Sequence, residues 1–485
     1  MERGKMVIAS SVVIFLISIV LVGIGHEYMV MKVHPIAAYI ILACVLTLMG
    51  YVEALHYSCV NMVNDDPTTY EANYPRAAAA QRLVNSQVLL KRFLLGRQGF
   101  VIAIVFIVAQ LTTFPNMPDD FWGMPPAFVS VLAKTGLPGV ALVLTVGQLV
   151  SQLFVESYTN AFQNIPGVYS VIQLCLATEN IGLCHWSWLL YEISNRLACL
   201  KIIRAKKRMT IENAASAETE PLSPTIMNRG EDFDLGVEEE QYGAWDIFRY
   251  MWSTALSLGA ICVVIYGIST GKYILHVGVA AAYIIAGFTL VLLFYLEGVM
   301  IAIAATTDWD RNTWRTVYPK AYAVHEMVNQ SGKVKSFIIG RQFMTVLTGF
   351  MLAEIFTFAN LENPGVYSDI LFYVIFKSGL AGVLLVLSVG QLTPELLAAE
   401  YPLRFLNLPG CYSLCRLCHF FDSCAVGHAG WAIFYTTRPM LCAGEVEARE
   451  DENFLRETPP SAELAYKTYK NTQLISESAK ALTRV

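Results

Sequence analysis

Charge is scarce in this sequence. Only 15% of its 485 residues are Asp, Glu, Lys or Arg, the formal net charge is −5, and the basic residues gather in a few loops and flanks. No broad basic face remains for a phosphate backbone, so nucleic acid is excluded as a partner. A regular cysteine spacing is also lacking: the eleven Cys lie mostly inside apolar runs, where a thiol behaves as a small hydrophobe, and they point to no disulfide framework. There is no glycine-rich phosphate cradle and no nucleophile with a base beside it, which argues against an enzyme and against a resident cofactor.

What the chain has in abundance is apolar sequence. It is 55% hydrophobic with a mean hydropathy of +0.48, the composition of an all-α, polytopic membrane protein whose first partner is the lipid bilayer. The opening run from Met6 to about Gly25 has the look of a secretory signal, yet an internal copy near 250–269 marks it as structural.

That copy belongs to a long repeat. Glu53 matches Glu297, Tyr74-Pro75 matches Tyr318-Pro319, Asn85 matches Asn329 and Gly96-Arg97-Gln98 matches Gly340-Arg341-Gln342, all 244 residues apart. One deletion then sets the spacing to 243. Lys134 pairs with Lys377, Gly147-Gln148-Leu149 with Gly390-Gln391-Leu392, Pro166-Gly167 with Pro409-Gly410, and His185 with His428. Many matched residues are polar, Gly or Pro, so shared hydrophobicity does not explain them, and duplication does. Cys411, Cys415, Cys418, His419 and Cys424 resemble metal ligands, but their counterparts Val168, Ile172, Cys175, Leu176 and Ile181 do not. They read as a Cys-rich helix, and no metal site is expected. His185 and His428 recur and fit helix packing at least as well as a pore lining.

Each copy carries about five stretches long enough to cross a bilayer. They run near 7–25, 36–56, 99–114, 126–150 and 170–191, then near 250–269, 280–304, 342–358, 368–392 and 412–436. The expected organisation is a first five-span repeat over 1–198, a flexible acidic linker over 199–245, a second repeat over 246–440 and a soluble tail over 441–485. An odd span count would invert the second copy relative to the first. The basic residues contradict that layout. Arg76, Arg82, Lys91 and Arg92 would lie opposite both Arg311, Arg315, Lys320, Lys333 and Lys335 and the group Lys201, Arg204, Lys206, Lys207 and Arg208. Either the orientation signal is mixed or one span is re-entrant.

Before each Gly-Arg-Gln lies an amphipathic stretch, marked by Leu83, Val84, Val88, Leu94 and Leu95 and by Met327, Val328, Val334, Ile338 and Ile339. These read as interfacial helices. Gly96 and Gly340 are then expected to break the helix, leaving Arg97, Arg341, Gln98 and Gln342 at a freed helix end that could hold a polar solute. The arginines could instead snorkel to headgroups, whereas a repeated buried glutamine needs partners for its amide.

With Tyr295-Leu296-Glu297-Gly298 and Tyr51-Val52-Glu53-Ala54 ahead of it, Gly-Arg-Gln once per half, the later Gly-Gln-Leu, and the strings VAQLTTFP, TGLPG and LPGCYS, the chain resembles the silicic acid transporter family of diatoms and related algae. The resemblance implies ten spans in two related halves, cytoplasmic termini and sodium-coupled uptake of Si(OH)4, with Gln98, Gln342, Gln148, Gln391, Arg97 and Arg341 at the solute. One departure stands out. The family's Glu-Gly-x-Gln is here Glu53-Ala54-Leu55-His56 and Glu297-Gly298-Val299-Met300, without its glutamine in either half.

The chemistry suits a small hydroxylated solute independently. A hydroxyl donates and accepts, and so does a carboxamide, which adds no charge. Glu53 and Glu297 are expected to couple an ion, Na⁺ first, or to pair with Arg97, Arg341, Lys134 or Lys377; the two roles can coexist. Glu354 replaces Gln110 and marks an asymmetry between the halves. Borate, germanate and bicarbonate are alternative solutes, and a channel or a non-transporting receptor is an alternative class. The plasma membrane is the expected location, with an intracellular membrane as its alternative, and homo-oligomerisation is left open.

Overall fold

In lipid an apolar run can satisfy its backbone N–H and C=O groups within a single helix. Among the described residues the chain is helical throughout its ordered elements, with no strand. The computed structural model describes residues 2–62, 66–183, 185–194, 243–275, 277–306, 309, 314–329, 333–363, 365, 368–424 and 427–441. The expected linker, apart from 243–245, and the expected tail, apart from Leu441, lie outside these residues. So does the basic group 201–208.

The first half contains α1 (Glu2–Gly25), α2 (Pro35–Met62), α3 (Pro75–Arg82), α4 (Gln87–Thr112), α5 (Leu137–Ser157), α6 (Val168–Asn180) and α7 (185–194). The second repeats them as α8 (Ala244–Ser269), α9 (Val279–Thr306), α10 (Pro319–Val328), α11 (Lys333–Phe356), α12 (Leu380–Glu400), α13 (Cys411–Ser423) and α14 (His428–Leu441). Local signals set several starts. Pro75 and Pro319 open α3 and α10, where the missing N–H costs nothing, and the Ser86 hydroxyl caps α4 by accepting from Leu89 N–H.

Among the described residues, eight helices, where ten spans were expected, are long and apolar enough to cross a membrane: α1, α2, α4, α5 and their mates α8, α9, α11, α12. The fifth stretch of each copy resolves instead into two short helices. α6 and α13 have 13 residues each, about 20 Å of rise against a hydrocarbon core of about 30 Å. Gly182 at a φ of 88° sits in the first break. In the apolar windows of α4 and α5, 72% of residues are buried, and in those of α11 and α12, 61%. The corresponding figures for α1, α2, α8 and α9 are 22–33%, so the first four helices form the inner bundle and the last four its outer ring.

The halves run in the same sense, which overturns the expected inversion. α4 and α11 meet where Gly349 faces Val105 Cγ1, and further along both helices Thr113 Oγ1, just past the end of α4, donates to Glu354 Oε1 at 3.1 Å. Both chains therefore advance in the same direction. The outer helices agree: Gly23 near the end of α1 lies under the Phe114 ring, and Gly267 near the end of α8 under the Phe358 ring. At the start of α8, Arg249 bonds Glu179, which also holds Arg92 at the start of α4. Four long helices per half is an even number, so the second half begins on the side where the first began. Arg76, Arg82 and Arg92 then share one end of the bundle with Arg315, Lys320 and Lys333, which removes the conflict between these two groups.

The short helices tie the halves together. α6 packs on α4 and α13 on α11, each within its own half. The next helices cross over: Trp186 N–H of α7 donates to Ser253 Oγ of α8 at 2.8 Å, and Ala429 of α14 packs with Ala9 and Val13 of α1.

Candidate functional site

Gly-Arg-Gln does not break the helix. α4 runs unbroken through Gly96 and α11 through Gly340. The glycines permit a close crossing instead: a Cβ at Gly96 would overlap the Cys175 carbonyl of α6, and one at Gly340 the Cys418 carbonyl of α13. Leu94, Leu95, Ile338 and Ile339 accordingly belong to the long helices, and only α3 and α10 are separate elements ahead of them.

Continuity of the helix puts Arg97 and Gln98 about three turns inside α4, where both are buried, as are Arg341 and Gln342 in α11. A guanidinium in that position needs a counter-charge. α2 supplies it in the first half, with Arg97 Nη1 donating to Glu53 Oε1 at 3.1 Å. α9 supplies it in the second, with Arg341 Nη1 donating to Glu297 Oε2 at 3.0 Å. The two pairs span the same 44 residues of sequence. Beyond them the halves differ. Arg97 Nη2 also donates to Gln98 Oε1 at 2.6 Å, while Glu297 takes a second bond from Thr345 Oγ1 at 3.2 Å.

The first pair is extended by hydrogen bonds across the interface between halves, to the Gln342 that follows Arg341 in sequence. Gln98 Nε2 of the first half donates to Glu395 Oε1 of the second at 3.2 Å. Gln342 Nε2 of the second donates to Gln152 Oε1 of the first at 2.9 Å, and Gln152 Nε2 lies 3.5 Å from Glu53 Oε2. Gln152 and Glu395 were not among the residues singled out from sequence. They were findable: each follows Gln148 or Gln391 by one helical turn, and they match each other at the spacing of 243.

Gln148 and Gln391 lie on that same face of α5 and α12. Both fall in π-helical turns, Val143–Leu149 and Val386–Leu392, closed by i→i−5 bonds from Val150 N–H to Thr145 O and from Thr393 N–H to Ser388 O. Such turns re-aim side chains and are frequent at functional sites. Both amides are buried. Among the described residues, the carboxamide oxygens of Gln148, Gln342 and Gln391 receive no hydrogen bond, nor do the Nε groups of Arg97 and Arg341 have an acceptor. A buried group left so costs about 1–3 kcal/mol. Acceptors and donors are thus both on offer to a molecule that carries hydroxyls.

Away from this network, His185 packs edge-on against Tyr250 at 5.3 Å, and Cys411, Cys415 and Cys418 are buried in the apolar contact of α13 with α11 and α9. Lys134 bonds Asp119, and Lys377 lies over the Phe372 ring, so of the expected pairings of Glu53 and Glu297 the ones formed are those with Arg97 and Arg341.

A family model described as silicon transporter matches residues 2–160 and 241–408. No curated protein and no solved structure matches the chain. The matched segments cover most of the sequence and include every member of the network, from Glu53 through Gln152 in one half and Glu297 through Glu395 in the other. On this match the chain belongs to the silicon transporter family.

Proposed function

We propose that this chain is a secondary active transporter that takes up silicic acid, coupled to Na⁺, through a site between its two halves. The observation that carries the reading is the set of buried carboxamide oxygens on Gln148, Gln342 and Gln391 without a donor. Si(OH)4 offers four hydroxyls that donate and accept, and it bears no charge to be desolvated. Gln98 and Gln342 orient the solute, and Arg97 and Arg341 hold the glutamates and Gln98 in position.

Sodium coupling is supported by the charge at the site. Glu53, Glu297 and Glu395 outnumber Arg97 and Arg341 by one, and the excess, half-buried carboxylate attracts a small cation. Because Glu53 and Glu297 are already bridged by guanidiniums, Glu395 is the better oxygen donor for Na⁺. Transport does not need inverted halves, since same-sense repeats also serve alternating access. The side carrying the basic connections faces the cytoplasm in this reading, and the plasma membrane is the assigned location. Loss of the Glu-Gly-x-Gln glutamine from both halves favours a second reading, uptake of another small hydroxylated solute such as boric or germanic acid.

Proteoliposomes with and without an inward Na⁺ gradient test the reading. Uphill accumulation of silicic acid only with the gradient is the expected result. Gradient-independent equilibration would mean a channel, binding without flux a receptor, and transport of bicarbonate alone would overturn the substrate.

A further inference from the structure

A second polar centre lies on the junction of the halves, well removed from Gly-Arg-Gln. From Gln98 to Thr113 is 15 residues along α4 and just beyond it, about 22 Å of rise. There Glu354 of α11 is fully buried, and its contact is with the other half: Thr113 Oγ1 donates to Glu354 Oε1 at 3.1 Å. Its second oxygen, Oε2, has no partner. The space around it is walled by the Phe350 ring and by Gly136, whose φ of 64° turns the chain into α5.

The repeat supplies a control inside the same molecule. The mate of Glu354 is Gln110, and its Nε2 donates to the Ser378 carbonyl of the other half at 2.9 Å. The carbonyl equivalent to Ser378, at the spacing of 243, belongs to Thr135. A carboxamide satisfies such an acceptor, but a carboxylate carries no N–H and would set oxygen against oxygen. The surrounding residues match, Thr357 with Thr113 and Gly379, at a φ of 79°, with Gly136, but Thr357 Oγ1 makes no hydrogen bond among the described residues where Thr113 Oγ1 bonds the carboxyl. What Glu354 lacks relative to Gln110 is a neutral N–H donor, and as a carboxylate it adds one negative charge.

No side-chain cation fills that role among the described residues. Lys134, two residues from Gly136, is held by Asp119 Oδ1 at 2.7 Å, and Lys377 stacks on Phe372. Thr113 is the one side chain that acts on the carboxyl. An unpaired carboxylate in such a place is strongly disfavoured, and the group takes up a cation instead.

We propose that Glu354, with the Thr113 hydroxyl, binds a monovalent cation, a proton or Na⁺, at the contact between the halves farthest from the Gly-Arg-Gln network. The neutralised carboxyl holds this contact closed, and release of the cation loosens it. The idea builds on the transport reading but does not need silicic acid to be the solute.

The test uses the purified full-length protein and follows its melting temperature in NaCl against choline chloride, and from mildly acidic to alkaline pH. A cation bound only by the folded state raises stability by mass action. With Glu395→Gln in the background, so that the Na⁺ site proposed at Glu395 does not contribute, the protein is expected to be stabilised by Na⁺ if the cation is sodium, or by acid if it is a proton, and adding Glu354→Gln is expected to abolish that response. Should Glu354→Gln fail to fold, Thr113→Val keeps the carboxyl and removes one partner. It is expected to move the midpoint of the response about tenfold in cation activity. Glu395→Gln should leave the Glu354 response in place. A wild-type protein indifferent to both cations, or a response unchanged in Glu354→Gln and Thr113→Val, would overturn the proposal. A Glu354-dependent response in a protein that moves no silicic acid would keep this site and reject the transport reading.

Discussion

Arg97→Lys probes whether the guanidinium is there for its charge or for its shape. Lysine keeps the cation and the reach, but it cannot place two N–H bonds along the fixed fork that now spans Glu53 Oε1 at 3.1 Å and Gln98 Oε1 at 2.6 Å. One of the two acceptors loses its donor. For a buried group this costs about 1–3 kcal/mol, roughly ten- to a hundredfold in a rate or affinity that depends on the geometry. The matching change in the other half is expected to be milder. Arg341 makes a single such bond, to Glu297, and Thr345 continues to hold that carboxylate. The expected order is therefore wild type, then Arg341→Lys within about tenfold, then Arg97→Lys. Initial rates of silicic acid uptake into proteoliposomes, at matched protein density and over a range of silicic acid concentrations, give the comparison. Uptake by Arg97→Lys at the wild-type rate, or greater damage from Arg341→Lys, would refute the argument and leave the arginines as bulk charge.

Gln148→Leu or Gln391→Leu is expected to weaken silicic acid uptake by about tenfold with little change in melting temperature, since their carboxamide oxygens have no protein donor to lose. A large stability loss with normal uptake would assign them to packing. Gly96→Ala and Gly340→Ala are expected to lower the yield of detergent-stable protein sharply, because the new methyl meets a backbone carbonyl of α6 or α13 that cannot swing aside. Normal melting curves for both would show the crossing to be looser than it stands. Single cysteines introduced into the connections 26–34 and 270–278 are expected to react with an impermeant thiol reagent from one side of the membrane, and cysteines at Arg76 and Lys320 from the other. Labelling of 26–34 and 270–278 from opposite sides would restore an inverted second half.

Composition and periodicity by themselves determined the class of this protein. Apolar runs of this length have few fates other than a bilayer, and polar residues recurring at constant spacing identify the repeat whatever its fold. The pairing of Glu53 with Arg97 and of Glu297 with Arg341 was also legible, as one of two open roles, because equal spacing in both halves pointed to it. The number of crossings was not. The fifth stretch of each copy is hydrophobic enough to be read as a span, and only packing showed it broken at Gly182 in one half and past Ser423 in the other, with α6 and α13 laid on their own halves. That one difference changes an odd count to an even one and reverses the sense of the second half. The same packing decided the purpose of Gly96 and Gly340, since sequence records a missing side chain but not which backbone approaches it. Gln152 and Glu395 became visible at the site for a related reason: they touch Gln342 and Gln98 across an interface between segments separated by 190 and 297 residues, and such partners are assigned by tertiary contact alone.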